Sequence, residues 1–457
     1  MSREFKILSP TAILGYGFPQ ESFERGLAEQ PDLIAVDGGS TDPGPYYLGS
    51  GKSFTDRNGV KRDLRLMLTA GVTRGIPVVI GTAGGSGAAP HLEWCRQIVL
   101  EIAEEERLSF KLAVIPTDVP GHVVLEALEA GRIQPLDFVP PLTREAVCSS
   151  PHIVAQIGIE PFVEALTLGA QVVLAGRSYD PACFAALPIL RGYDEGLAMH
   201  CGKILECAAI AAAPGSGSDC AMGILRDDSF VLKALSPERK FTAESAAAHT
   251  LYEKSDPYHL PGPGGELDLT GCTFREIGDG MVEVRGSRYV HTRPYRVKLE
   301  GARPVGYRAI TIAGVRDPIM IESIDSILAA VKTRVEGFLG DHDDARVFFH
   351  AYGKNGVMGE LEPTKRSNSH ELGLVLEVVA VSQERANTVC SLLRSTLLHY
   401  GYPGRVATAG NLAFPFSPSD IQAGEVYEFS LYHLMDLPEQ NLFPVQIEQV
   451  GGTGVHP

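Results

Sequence analysis

The chain has 457 residues, of which 44% are hydrophobic and 21% charged. That is enough apolar surface for a normal core in about two or three domains, and it excludes a chain that stays unfolded for want of one. The formal net charge is −16, so neither a non-specific nucleic-acid surface nor an anionic membrane is expected as the main partner.

In chain order, four short β-branched runs stand out: Leu33–Asp37, Ile76–Ile80, Leu112–Ile115 and Gln171–Ala175. Turn residues bound each run, and helix-length sequence such as 92–107 separates them. This βαβ rhythm predicts a largely parallel sheet flanked by helices in Rossmann-like layers, an α/β fold. A helix is expected over Thr242–Glu253 with Thr242 as N-cap, then a Pro/Gly-rich loop over Pro257–Gly265. Met281–Arg285, Tyr295–Glu300 and Arg308–Ala313 alternate like strands and read as antiparallel insertions. Ser323–Leu339 returns to a helical pattern. The remainder reads as a smaller α+β region: strands at Arg346–His350, Leu372–Val379 and Val426–Tyr432, and a helix over Glu384–Tyr400. The expected division is 1–320 and 321–457. Eight cysteines are scattered with no C-x-x-C pair, the first residues lack an apolar leader, and no run reaches about 18 apolar residues. The expectation is a cytoplasmic chain without a disulfide framework, a zinc finger or a membrane span.

Ligand groups in such sheets gather past the carboxyl ends of strands, so the residues following the four runs carry most weight. Asp37-Gly38-Gly39-Ser40-Thr41-Asp42 holds two carboxylates in a flexible loop, suited to acid/base work or to a hard cation. The plainer alternative is a rigid turn. Gly81–Gly87 is a strand-to-helix turn whose Gly84, Gly85 and Ser86 offer backbone amides to a carboxylate or phosphate, or else a tight packing turn. It is neither a Walker A nor a G-x-G-x-x-G, so no nicotinamide, flavin or nucleotide cofactor is expected. Arg177 and Asp180 follow the fourth run. Arg177 is a candidate bidentate clamp for a carboxylate, or a partner of Asp180.

In His200-Cys-Gly-Lys-Ile-Leu-Glu-Cys207, a helix would place His200, Lys203 and Cys207 on one face with Glu206 beside Lys203. That much polarity running into an alanine-rich buried stretch needs partners or a site. His200, Lys203 and Glu206 are therefore read as catalytic candidates. The thiols of Cys201 and Cys207 are weaker ones, because a buried cysteine is more often inert. His249 and Glu253 share a face at i, i+4, which reads first as an ion pair rather than a metal site. Lys298-Leu-Glu300, Arg316-Asp-Pro318 and 415–420 are explained by ordinary ion pairs and turns.

Taken together, Asp37–Tyr46, Gly176–Asp180, His200–Cys207, 248–253, Lys298–Gly301, Arg316–Pro318 and Gly410–Asp420 resemble the acyclic terpene utilisation (AtuA) family along nearly the whole chain. The resemblance implies catabolism of a small carboxylate or its acyl-CoA ester, often beside a small companion protein. It supplies no catalytic residues, so the site assignments rest on the residues themselves. The expected activity is that of a lyase, hydratase or isomerase on a small branched carboxylate or CoA ester. Asp37 or Asp42 would be the base, and Gly84, Gly85 and Arg177 the anion holders. Lys203 with Glu206 would stabilise charge. Two alternatives are kept: metal-assisted hydrolysis, with a divalent metal on Asp37, Asp42, Asp180 or His200, and a non-catalytic subunit of a catabolic complex. A homo-oligomer is expected.

Overall fold

A computed structural model describes residues 3–252, 255–339, 344–366, 368–437 and 443–451. They form two compact units: 1–303 with 429–457, and 304–428. The division placed at residue 320 from the sequence falls inside the second unit, and the last stretch of chain belongs to the first.

The first unit is built on a ten-stranded sheet. Its middle is parallel, in the order Phe5–Ser9, Leu33–Asp37, Val78–Gly81, Val172–Ala175 and Phe110–Ile115. Antiparallel strands extend it at both sides. Ala221–Leu225, Phe230–Ala234, Met281–Arg285 and Thr273–Glu276 follow one another beyond Phe5–Ser9. Gln446–Val450 pairs with Phe110–Ile115 at the other side. The sheet is therefore mixed rather than largely parallel. The crossover helices that enforce parallel pairing are confined to its first 175 residues, and the later strands join antiparallel, two pairs of them as hairpins. The first strand lies at one end of the parallel run, not at the centre as in a dinucleotide-binding sheet.

Both faces are covered, which is why the parallel strands are continuous apolar runs. Ile34, Val36, Ile80 and Leu174 pack against helices Gln20–Ala28, Arg57–Arg74 and Ala89–Glu105. Leu33, Ala35, Val79 and Val173 face the opposite core, with helices Gly121–Glu129, Glu160–Thr167, Ala182–Leu190 and Glu195–Leu205. Register brings the carboxyl ends level: Asp37 lies opposite Gly81, and Ile115 opposite Ala175.

The helix expected after Thr242 spans Ala243–Leu251, and Thr242 and Ser245 form a reciprocal capping box. The expected i, i+4 partner Glu253 lies outside the described residues. The segment read as a loop over Pro257–Gly265 contains strands instead. His259–Gly262 pairs with Gly265–Asp268 in a hairpin, which Gly264 closes at φ +75°. Tyr295–Glu300 and Arg308–Ala313 are parts of one strand, Tyr295–Val315. Its first part pairs with His152–Gln156, setting Glu300 opposite Val154. The second unit is α+β. Helices Ile324–Leu339 and Gln383–Leu398 share a core with the antiparallel strands Ala345–Tyr352 and Leu372–Ala380. Among the described residues no helix is long and apolar enough to cross a membrane.

Candidate functional site

Strand ends of the first unit deliver a buried cluster of charges. Asp37 closes the strand Leu33–Asp37 and is 5% exposed. Its Oδ1 lies against Gly81, where a Cβ would stand 3.2 Å from that oxygen and 2.8 Å from Ser178 Oγ, so only glycine leaves the space. Arg177 follows the strand Val172–Ala175 and is held by its own backbone: its N–H donates to Thr117 Oγ1 at 2.7 Å. Gly87 has φ +70°, and a Cβ there would stand 2.1 Å from Arg177 N. The turn Gly81–Gly87 is thus the surface against which Arg177 is laid.

The Arg177 guanidinium is saturated by this fold. It donates to Glu300 at 2.7 Å, to Asp180 Oδ1 at 3.0 Å and to the Ser178 carbonyl at 2.8 Å. It positions two acids rather than offering a free fork to a substrate. Glu300 is fully buried and also takes Lys298 Nζ at 2.7 Å. Burial alone would raise its pKa, but Arg177 and Lys298 pull it down to about 2. Burial works against the positive charge of Arg177 too, and Glu300 with Asp180 outweighs it, holding its pKa well above the usual value.

Asp180 joins Asp37 and Glu206: one oxygen of each lies within 4.8 Å of the others. Glu206 arrives from the end of the helix Glu195–Leu205, where it accepts from Lys203 Nζ at 2.5 Å. The Lys203 ammonium also lies 5.1 Å from the ring centroid of Tyr252. Asp37 Oδ1 is buried with no hydrogen-bond partner among the described residues. Burial, then the repulsion of Asp180, raises the pKa of Asp37 well above its ordinary value; Glu206 adds to this, and Arg177 opposes it. A second convergence shares Glu206: its carboxylate, the Cys207 thiol and a ring nitrogen of His249 lie within 4.8 Å of one another.

Of the residues singled out from the sequence, Asp37, Arg177, Asp180, Lys203 and Glu206 come together. Asp42 does not. It is exposed, its N–H donates to Ser40 Oγ at 3.1 Å, and it belongs to neither group of convergent ligand atoms. Gly38 and Gly39 are packing positions, where a Cβ would stand 2.5 Å from the Thr82 carbonyl oxygen and 3.0 Å from Gly85 Cα. Gly84, Gly85 and Ser86 are buried, the glycines against His91 and Phe54, so the turn is a close-packed one rather than an open anion cradle. His200 is a satisfied core histidine. Its Nδ1 meets Ser287 Oγ at 2.7 Å and its Nε2 meets Thr250 Oγ1 at 2.9 Å, and burial lowers its pKa to about 3. Cys201 is buried, and burial pushes its thiol pKa up, which makes it inert packing. Lys298 and Glu300 are the members that sequence reasoning put down to ordinary pairing. Their signal was only the acid between strand-like neighbours.

A cavity of about 760 Å³ in the same unit takes in Tyr179, the neighbour of Asp180, together with Glu160, Glu195, Tyr289 and Tyr295. None of the clustered acids lines it.

The family model described as "Acyclic terpene utilisation family protein AtuA" matches residues 56–219 and 223–417. No curated protein and no solved structure matches the chain.

Proposed function

Since the chain belongs to the acyclic terpene utilisation family, whose role lies in acyclic terpene catabolism, we propose that it is an enzyme that moves a proton at the carbon next to the carbonyl of a small branched carboxylate or its CoA ester, as a lyase, hydratase or isomerase does. The observation that carries this reading is the convergence of Asp37, Asp180 and Glu206 with Lys203 seated on Glu206. Burial and the neighbouring Asp180 charge favour a proton on Asp37, which leaves Asp180 to serve as the base. Asp37, buried and unpartnered at Oδ1, is the member suited to hold that proton.

In this scheme the Asp180 carboxylate, oriented by Arg177, takes the proton from the substrate carbon. The electron pair of the broken C–H bond moves onto the carbonyl oxygen, where the Lys203 ammonium offsets the developing charge. Asp37 delivers its proton to the leaving group, or to the neighbouring carbon in an isomerisation. General acid–base catalysis of this kind contributes about 10²–10⁴-fold.

The same three oxygens are also a donor set for a hard divalent cation, which would serve a hydrolase. Lys203 and Arg177 already place positive charge on two of the acids, which favours the proton-transfer reading. The test is deuterium wash-in from D2O, followed by NMR across a panel of small branched carboxylates and CoA esters. Exchange at the carbon next to the carbonyl, lost in Asp180→Asn and Lys203→Ala, supports the proposal. No exchange with any member, together with hydrolysis activated by added magnesium or manganese, would move the assignment to the hydrolase.

A further inference from the structure

We propose that Glu206, Cys207 and His249 form a zinc-binding site beside the carboxylate cluster. The three residues supply one oxygen, one sulfur and one nitrogen donor, all mutually within 4.8 Å. A tetrahedral zinc with bonds of about 2.0–2.3 Å needs donors roughly 3.3–3.6 Å apart, so at most about 1.5 Å separates this arrangement from a closed one.

An independent observation points to a ligand here. His249 is 8% exposed, and its Nε2 is buried with no hydrogen-bond partner among the described residues. A buried polar nitrogen left in that state costs about 1–3 kcal/mol, and native structures rarely tolerate it without a reason. The contrast is His200, whose two nitrogens are both bonded. Burial, with the nearby Lys203 charge adding to it, lowers the pKa of His249 to about 4.

The donor types select the ion. Thiolate and imidazole are poor partners for magnesium and calcium, and a mixed S, N, O set suits zinc. Three protein ligands leave a fourth position for water or a substrate oxygen, the pattern of sites that do chemistry rather than brace a fold. Glu206 is common to this site and to the proposed proton-transfer cluster, but Cys207 and His249 have no part in that scheme, so the two ideas fail separately.

The test uses the full chain, loaded with zinc and in parallel with cobalt after metal stripping. One equivalent of zinc should remain after dialysis. The cobalt form should show a thiolate-to-cobalt charge-transfer band in the near ultraviolet. Cys207→Ser should abolish the band and weaken zinc binding at least tenfold, and His249→Ala should weaken it similarly. The fluorescence of the single tryptophan, Trp94, would show that each variant is folded. The proposal is overturned if the wild type retains no zinc or if cobalt binds without the band. It is equally overturned if Asp37→Asn removes the metal while Cys207→Ser keeps it, because the ion would then sit on the carboxylate trio.

Discussion

Replacing Glu300 by glutamine keeps the shape of the side chain and removes one charge from a buried triad with Arg177 and Lys298. Glu300 has an ordinary pKa of 4.5 and is held at about 2. At about 1.4 kcal/mol for each pH unit between those values, its ionisation contributes roughly 3 kcal/mol to the folded state at neutral pH. Because the folded value is the depressed one, this contribution is complete above pH 4.5 and is lost as pH falls toward 2. The cost of breaking one partner out of a buried ion pair, about 3–5 kcal/mol, is of the same size. Trp94 is the single tryptophan and lies in the helix Ala89–Glu105 of the same unit, so its fluorescence follows that unit alone. In urea titrations read from Trp94, Glu300→Gln should be less stable than the wild type by about 3 kcal/mol at pH 7. The gap should narrow to roughly 2 kcal/mol at pH 3.5. A gap under about 1 kcal/mol at pH 7, or one that widens in acid, would refute the assignment of Glu300 as the charge that holds Arg177.

Asp37→Asn should act in the opposite sense on stability. The raised pKa of Asp37 means that the wild type loses stability as pH climbs from the ordinary value of 3.8 through the raised one, and the asparagine variant should lack this decline in urea titrations across that range. His200 is buried neutral with a pKa of about 3, so it costs stability as pH falls below its unfolded value near 6.5. His200→Gln should flatten that acid slope while lowering stability at pH 7 by about 1–3 kcal/mol, both read from Trp94. Gly87→Ala should destabilise the first unit by about 3 kcal/mol or more, since a methyl at φ +70° would stand 2.1 Å from Arg177 N; thermal unfolding of the variant would check it.

Much of the parallel sheet was readable because burial on both faces writes itself as uninterrupted apolar runs. Asp37 and Arg177 were readable for the same reason, as the charged residues that end such runs. Lys203 and Glu206 stood out as charges on a helix that is otherwise buried. The antiparallel half of the sheet was harder to place. Ala221–Leu225 and Phe230–Ala234 are short hairpin strands, and nothing local says which sheet a hairpin joins. The role of Glu300 depends on a strand pairing with His152–Gln156 that spans more than a hundred residues. Local pattern carries no information on such a pairing. Asp42 was misplaced because loop direction past Gly39, at φ +135°, is set by packing against Gly85. His249 and Cys207 meet only because the helix Ala243–Leu251 packs against the end of the helix Glu195–Leu205 and the turn that follows it.

The edge strand Gln446–Val450 bears on how the chain is made. Its partner, Phe110–Ile115, is one of the buried strands of the parallel run. Roughly 330 residues separate the two, which at about 5–20 residues per second is on the order of 15–65 s of synthesis. Throughout that interval the amide edge of Phe110–Ile115 has no strand beside it on that side, and an uncovered edge invites pairing with another nascent chain. The intervening unit, 304–428, leaves the ribosome whole before its neighbour can close. A stop or a stall near residue 440 would therefore leave a finished second unit joined to a sheet with one sticky side, a species that chaperones, not the native fold, would have to manage.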